Sequence, residues 1–217
     1  MDGNSRWAKK NNLSKKEGYK KGLSNIKNII DVCLDYKIKF LTVFALSNEN
    51  FKRPSVNIIF NLIENELNFL LKDFINDNKV KIRILGKKNN LPINIKKIFQ
   101  KLETSTNNNT KINLNVGFNY GGINEIIYSI NKIIHSHSSH NISINENMIR
   151  NNLYIPNIPD PDILIRTGGF KRLSNFLLFQ ISYTELFFTK TLWPDFNKIK
   201  MKKIIKKYFH IERKYGL

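Results

Sequence analysis

The chain has 217 residues, with 36 Lys and Arg against 17 Asp and Glu, a net charge of +19, 41% hydrophobic and 12% aromatic residues. That apolar content excludes disorder as the main state, and no apolar run approaches the ~20 residues that span a bilayer. A single cysteine, Cys33, excludes an internal disulfide framework and a Cys-based zinc site, while the opening Met-Asp-Gly-Asn-Ser-Arg does not read as a signal peptide, so a cytoplasmic setting is expected.

The elements follow in chain order. Ser14-Lys-Lys-Glu17 is a capping box. Tyr19, Leu23, Ile26, Ile30, Cys33 and Leu34 then recur at helical spacing and predict a helix over about 14–36. Residues 38–46 read as a buried strand, followed by a polar loop from Ser47 to Pro54. Ser55 is placed to cap a helix carrying Ile58, Ile59, Leu62, Ile63, Leu67, Leu70, Leu71 and Phe74. That stripe is core by default, or the wall of an apolar ligand tunnel. Val80 to Leu85 is a strand closed by Gly86, and Pro92 opens a helix at its first turn. Ile112 to Phe118 is a strand, and Gly121-Gly122 leads into a helix reaching about Ile134.

Ser143 with Glu146 reads as a second capping box, for a short helix ending near Leu153. Asp162 to Arg166 is a strand, residues 174–182 read as helical, Glu185 to Phe188 as a short strand, and 196–214 as a basic terminal helix. Alternating strands and helices imply βαβ units: a single α/β domain over 1–217, with a central, mainly parallel sheet flanked by helices. Ligands in such sheets bind beyond the carboxyl ends of the strands, so the polar loops there are the place to look for chemistry.

The charge alone suggests a polyanion such as nucleic acid. The composition argues otherwise: 29 Lys stand against 7 Arg, beside 32 Asn and 32 Ile, the residues of AT-rich codons. Residue types disfavoured by that drift stand out where they cluster. Five of the seven Arg (Arg6, Arg53, Arg166, Arg172, Arg213) lie in segments that read as functional loops.

Four segments carry candidate chemistry. In Met1 to Lys10, Gly3 allows close backbone approach, Asp2 offers a hard oxygen for Mg²⁺, and Arg6 a fork for phosphate oxygens. Ser47-Asn-Glu-Asn-Phe-Lys-Arg-Pro54 is an anion-and-substrate loop or a plain surface loop. In Arg166-Thr-Gly-Gly-Phe-Lys-Arg172-Leu-Ser174-Asn175, two Gly free the backbone and two Arg flank the turn. Ser174 there is placed both to cap the next helix and to donate to a phosphate. It is neither a P-loop nor a dinucleotide loop. Glu185, among aromatic and aliphatic neighbours, is either paired or functional. His135-Ser-His-Ser-Ser-His140 lacks a Cys or carboxylate partner and reads as a solvated loop, and Cys33 as a buried structural thiol.

In order, these segments resemble the signature regions of the cis-prenyltransferases, especially the bacterial undecaprenyl diphosphate synthase group. The segments that carry the likeness are 2–8, 47–54, Asn119-Tyr-Gly-Gly122, 165–176, 185–188, Leu192-Trp-Pro-Asp-Phe196 and Arg213-Lys-Tyr-Gly216. The Asp-Asp-x-x-Asp motifs of the trans-type enzymes are absent. The resemblance implies Mg²⁺-dependent condensation of isopentenyl diphosphate onto an allylic diphosphate, usually farnesyl diphosphate, giving a long-chain product for envelope glycan synthesis.

It also implies the roles of residues. Asp2 engages Mg²⁺ and the leaving diphosphate, and Glu185 is a second metal-linked carboxylate. Gly3, Asn4, Ser5 and Arg6, with Trp7 beside them, cradle the allylic diphosphate. Arg166, Arg172 and Ser174, next to Leu173, hold the isopentenyl diphosphate. Asn50 matches the residue that takes the proton lost in condensation; an amide is a poor base, so it is read as an orienter, with pyrophosphate or water as acceptor, within Ser47, Asn48, Glu49, Phe51 and Arg53. Lys15 stands where Arg is common and Tyr19 where His is common.

The resemblance further implies a homodimer, with Arg213 and Gly216 reaching toward the partner, an apolar tunnel between sheet and helices, and peripheral contact with the inner membrane face through the lipid product. It implies no nucleic-acid partner. Relatives usually carry an apolar strand before Asp-Gly-Asn, so that strand is expected to be missing here. Within the enzyme class the alternative is a short-chain synthase; outside it, a non-catalytic subunit of the same fold.

Overall fold

A computed structural model describes residues 1–67, 78–136 and 142–212. Its elements in chain order are α1 (Asn4–Lys10), α2 (Lys15–Asp35), β1 (Phe40–Ser47), α3 (Asn48–Phe51), α4 (Val56–Leu62) with a π turn at Ile63–Leu67, β2 (Val80–Leu85), α5 (Ile93–Ser105) and β3 (Ile112–Tyr120). They continue with α6 (Gly122–Ser136), α7 (Glu146–Asn151), β4 (Ile163–Arg166), β5 (Glu185–Phe188), a 3₁₀ turn at Trp193–Asp195 and α8 (Lys198–Tyr208). Two compact units emerge. One comprises Met1–Ile38, Pro161–Arg172 and Tyr183–Leu217; the other comprises Lys39–Asp160 and Leu173–Ser182.

The first unit is built on α2. Ser14 caps it through the expected reciprocal box, with Glu17 bonding back to the Ser14 N–H at 2.8 Å. Gly18 and Gly22 let α1 and the 3₁₀ turn approach: a Cβ at Gly18 would stand 2.5 Å from the Asn4 carbonyl oxygen. Asn25, buried, donates to the carbonyls of Trp193 and Phe196, and the Trp193 indole donates to the Gly22 carbonyl. Cys33 is fully buried, and burial pushes its thiol up to about 12, as befits a structural residue. Strands β4 and β5 form a parallel ladder in which Ile163 pairs with Glu185 and Arg166 with Phe188.

The second unit holds a parallel sheet in the order β1-β3-β2. The central strand β3 is nearly all buried, as a strand paired on both edges and covered by helices should be. Its residue Val116 pairs with Val43 on one side and Ile84 on the other. Helix α5 buries Ile95, Phe99 and Leu102 at the i, i+4, i+7 spacing, and Phe99 meets Phe118 edge-on at 5.1 Å. The chain is thus the expected mixed α/β fold, with parallel strands flanked by helices.

Several local expectations are corrected. Residues 48–51 are a helical turn, not a loop, because the Ser47 hydroxyl accepts from the Asn50 N–H at 3.2 Å and starts a helix. Ser55 caps nothing: it is already helical at φ −65° and ψ −10°, and the chain enters α4 through a Val56 N–H to Arg53 carbonyl bond. The cap of α7 is Asn145, not Ser143, with its side chain accepting from the Met148 N–H at 3.0 Å. Pro92 precedes the first turn of α5 rather than lying in it.

Residues 174–182 are not a helix. Ser174, Asn175 and Leu177 adopt φ of 53°, 62° and 48°, and a right-handed helix does not run through left-handed residues. The terminal helix ends at Tyr208, and α1 was not anticipated. Leu70, Leu71, Phe74, His137, His140, Arg213 and Gly216 lie outside the described residues, while His135 is exposed on α6.

Candidate active site

In the first unit, Asp2 lies where α1 begins and where β4 ends. Thr167, buried beyond the last residue of β4, clamps the Asp2 backbone from both sides: its hydroxyl accepts from the Asp2 N–H at 3.0 Å and donates to the Asp2 carbonyl at 2.9 Å. The Trp193 N–H donates to the same carbonyl. The Asp2 carboxylate is thereby aimed at two guanidinium groups, Arg6 at 3.1 Å and Arg166 at 3.2 Å. The Arg166 side chain is 14% exposed against 45% for Arg6, so the Arg166 pair is the less screened of the two.

Two glycines are required by this packing. Gly3 has φ of 115° and lies against Leu192, where a Cβ would meet side-chain and backbone atoms at 2.9–3.0 Å. Gly168 has φ of 86°, and a Cβ there would stand 2.5 Å from an Arg6 guanidinium nitrogen; its carbonyl accepts from Arg6 at 2.6 Å. The N–H groups of Gly168 and Gly169 donate to the carbonyls of Thr191 and Thr189. The Gly-Gly turn therefore shapes the arginine cluster, and its amides are not open donors for a phosphate.

The other residues singled out in this unit are spread around it. Asn4, Ser5, Arg6 and Trp7 form the first turn of α1, with the Trp7 indole donating to Asp195 at 2.7 Å. The Asn4 side-chain oxygen is buried and has no hydrogen-bond partner among the described residues. Lys15 is exposed at the start of α2, and Tyr19 is half-buried one turn on. Arg172 is exposed, and its carbonyl accepts from Arg166. Glu185 opens β5 opposite Ile163, whereas Arg166, Asp2's partner, is level with Phe188. Three residues of strand, about 10 Å, separate the two levels. Among the described residues no three His, Cys, Asp or Glu groups gather around one point.

In the second unit the carboxyl end of β1 is irregular, with register shifts between Phe44 and Ser47 that turn the chain into α3. Glu49 accepts from the Asn175 amide at 2.9 Å, and Asn48 donates to Asn124. Burial raises the Glu49 carboxyl, but hydrogen bonds from Asn175, from its own backbone and from Ser47 outweigh it and hold the group below its ordinary value. The Asn50 side-chain amide makes no hydrogen bond to a described residue. Phe51 meets Phe60 edge-on, and Arg53 is exposed.

The segment carrying Leu173 and Ser174 is tied down by Asn175, whose carbonyl and side-chain oxygen accept from the N–H groups of Gly122 and Ile123. Gly121 and Gly122 permit that approach, since a Cβ on either would come within 2.9 Å of this segment.

A family model described as putative undecaprenyl diphosphate synthase matches residues 1–216. The chain belongs to that family. An isoprenyl transferase of Thermotoga maritima is 40% identical over all of this chain and 94% of its own length, and one of Fusobacterium nucleatum is 40% identical over 93% of its length. A Thermococcus kodakarensis relative, 39% identical over all of this chain and 84% of its own, is named tritrans,polycis-undecaprenyl-diphosphate synthase (geranylgeranyl-diphosphate specific).

Among solved structures, lavandulyl diphosphate synthase from Lavandula x intermedia, in complex with dimethylallyl diphosphate, superposes with a TM-score of 0.93. It is 30% identical, over all of this chain and 95% of that one. A probable undecaprenyl diphosphate synthase of Campylobacter jejuni gives a TM-score of 0.82 at 33% identity, over 91% of this chain and 93% of that one.

Family membership makes the chain a prenyltransferase, and the arginine cluster suits such a role. The donor set also suits Mg²⁺, which keeps most of its waters and commonly takes one or two carboxylates together with substrate phosphates. Asp2 is one such carboxylate, partly exposed beside two guanidinium forks. Sequence reasoning missed Thr167, which fixes Asp2, and Glu125, which organises the second unit. Thr167 stood inside a singled-out motif; Glu125 had no signal beyond an acidic residue in the first turn of a helix.

Proposed function

We propose that the chain condenses isopentenyl diphosphate onto an allylic diphosphate primer, farnesyl diphosphate first among candidates, to give a long-chain cis-polyprenyl diphosphate such as undecaprenyl diphosphate. The observation that carries this reading is the Asp2 carboxylate held by Thr167 against Arg6 and Arg166. Mg²⁺, held by Asp2 and the substrate's own phosphates, would offset charge on the departing diphosphate. As the allylic C–O bond stretches, negative charge grows on the diphosphate oxygens, and fixed guanidinium donors stabilise it. The alkene carbon of isopentenyl diphosphate bonds to the allylic carbon. Positive charge develops on the methyl-bearing carbon of the former alkene, a proton leaves the CH₂ on its far side to form the new double bond, and released pyrophosphate or water accepts it. Asn50, whose side-chain amide has no hydrogen bond to a described residue, orients this step rather than acting as a base.

Arg172 and Ser174 are assigned to the isopentenyl diphosphate, and Glu185 to a metal-linked role, on the family resemblance. A hydrocarbon product needs an apolar channel, for which Ile58, Ile59 and Leu62 of α4 and the strands β2 and β3 are the candidate walls. Each added unit buries several carbons at about 0.8 kcal/mol per CH₂, so channel depth sets where growth stops. The protein acts as a homodimer in the cytoplasm, touching the membrane through its product; no described helix is long and apolar enough to cross one.

The test is product formation from labelled isopentenyl diphosphate with dimethylallyl, farnesyl or geranylgeranyl diphosphate, with and without Mg²⁺. Long products from farnesyl diphosphate, lost on chelation, support the reading. Preference for geranylgeranyl diphosphate moves the primer, short products move the chain length, and no incorporation by folded protein brings a non-catalytic subunit forward.

A further inference from the structure

Phe170 follows the Gly168-Gly169 turn and is 41% exposed. Three guanidinium groups approach its ring: Arg172 at 4.3 Å, Arg6 at 4.9 Å and Arg166 at 5.8 Å from the centroid. Two of them have other anchors. Arg6 bonds the Gly168 carbonyl and Asp2, while Arg166 bonds Asp2 and the Arg172 carbonyl. The exposed Arg172 side chain has no hydrogen bond or ion pair to any described residue. The aromatic face is the contact that fixes it.

Three positive groups share this turn with one carboxylate, Asp2, and like charges so placed repel. A ring face carries negative quadrupole density and attracts each of them, without occupying the N–H groups that an anion would take. A long arginine that is already ordered loses less rotamer freedom on binding, which favours the ligand. A surplus of planar guanidinium forks matches the oxygens of a diphosphate.

We propose that Phe170 is a positioning residue, whose ring face holds Arg172, and steadies Arg6 and Arg166, in place for a diphosphate before it arrives. This rests on the diphosphate reading of the preceding section. A leucine at 170 keeps apolar bulk and loses the π face; tyrosine and tryptophan keep it.

The experiment measures two things on the full chain. One is binding of inorganic pyrophosphate by calorimetry; the other is KM for isopentenyl diphosphate separately from kcat. The variants are Phe170→Leu, Phe170→Tyr, Phe170→Trp, Arg172→Ala and the Leu/Ala double. Phe170→Leu should weaken pyrophosphate binding about five- to tenfold and raise KM to match, with kcat little changed. Tyrosine and tryptophan should stay within about twofold of the parent, and Phe170→Leu should add less than about twofold to Arg172→Ala.

Should Phe170→Leu fold poorly, a ring-fluorinated phenylalanine at 170 keeps the shape and removes the negative face, and it should track the leucine result. Equal losses with Leu, Tyr and Trp, or independent effects in the double variant, overturn the proposal. So does weakened binding in Arg172→Ala alone with Phe170→Leu unchanged. Unchanged binding in Arg172→Ala overturns the diphosphate assignment of that arginine, and the proposal with it.

Discussion

Asp2 and Glu125 are both carboxylates that gather several donors, and they differ in what surrounds them. Glu125 is 1% exposed and accepts from the Tyr120 hydroxyl at 2.5 Å, the Gln180 amide at 3.0 Å and the Tyr154 N–H at 3.1 Å. All three donors are neutral, and they join the end of β3, the start of α6, the chain after α7 and the 173–182 segment. Burial, and then the Glu125 charge, raises the Tyr120 phenol above its ordinary range and pushes Tyr154 up to about 12. Asp2 is over a third exposed, its donors are charged, and its distances are longer. A filled, dry carboxylate locks a fold together. An open one among cations leaves room for a ligand.

The largest expected effect is on activity at the open carboxylate. Asp2→Ala should lower turnover on the order of 10²–10³-fold, while moving stability by less than about 1 kcal/mol, because exposed ion pairs are worth little to the fold. Paired rate and denaturant measurements check both halves; a large stability loss would erase the contrast. Glu125→Ala should do the reverse, costing about 3 kcal/mol by stranding buried donors, with turnover per folded molecule much less affected. Tyr120→Phe removes one of its donors and should cost about 1 kcal/mol in the same denaturant assay.

Cys33 extends the contrast to a buried group with no charge to satisfy. Its thiol rises from 9.0 to about 12, so the unfolded chain ionises first as pH climbs. The stability it contributes is complete below about pH 9 and is lost as pH rises toward 12. Melting curves of the parent and Cys33→Ala across that window should converge at high pH, and the native thiol should resist alkylation at pH 7.

Much of the fold was legible because its signals are local. The Ser14–Glu17 box and the apolar runs of β1, β2 and β3 each act within a few residues, and each appears where the pattern placed it. Residues 174–182 read as helical, yet Ser174, Asn175 and Leu177 are left-handed there. Their course is decided instead by Asn175 folding onto the start of α6, some 50 residues away in sequence. Ser143 and Ser55 were plausible caps by residue type, and the backbone chose Asn145 in one case and no side chain in the other.

By itself the sequence determined the chemical inventory: which carboxylate, which arginines, which glycines, and the family they signify. Residue identity and order are enough for that. Only the tertiary structure decided how the inventory is used. Thr167 aims Asp2 across 165 positions, the Gly-Gly amides are engaged by Thr189 and Thr191, and Phe170 faces three guanidinium groups. Glu125 collects its donors from across 55 positions. These contacts arise when segments distant in the chain are packed together, and no local propensity encodes which atoms then meet.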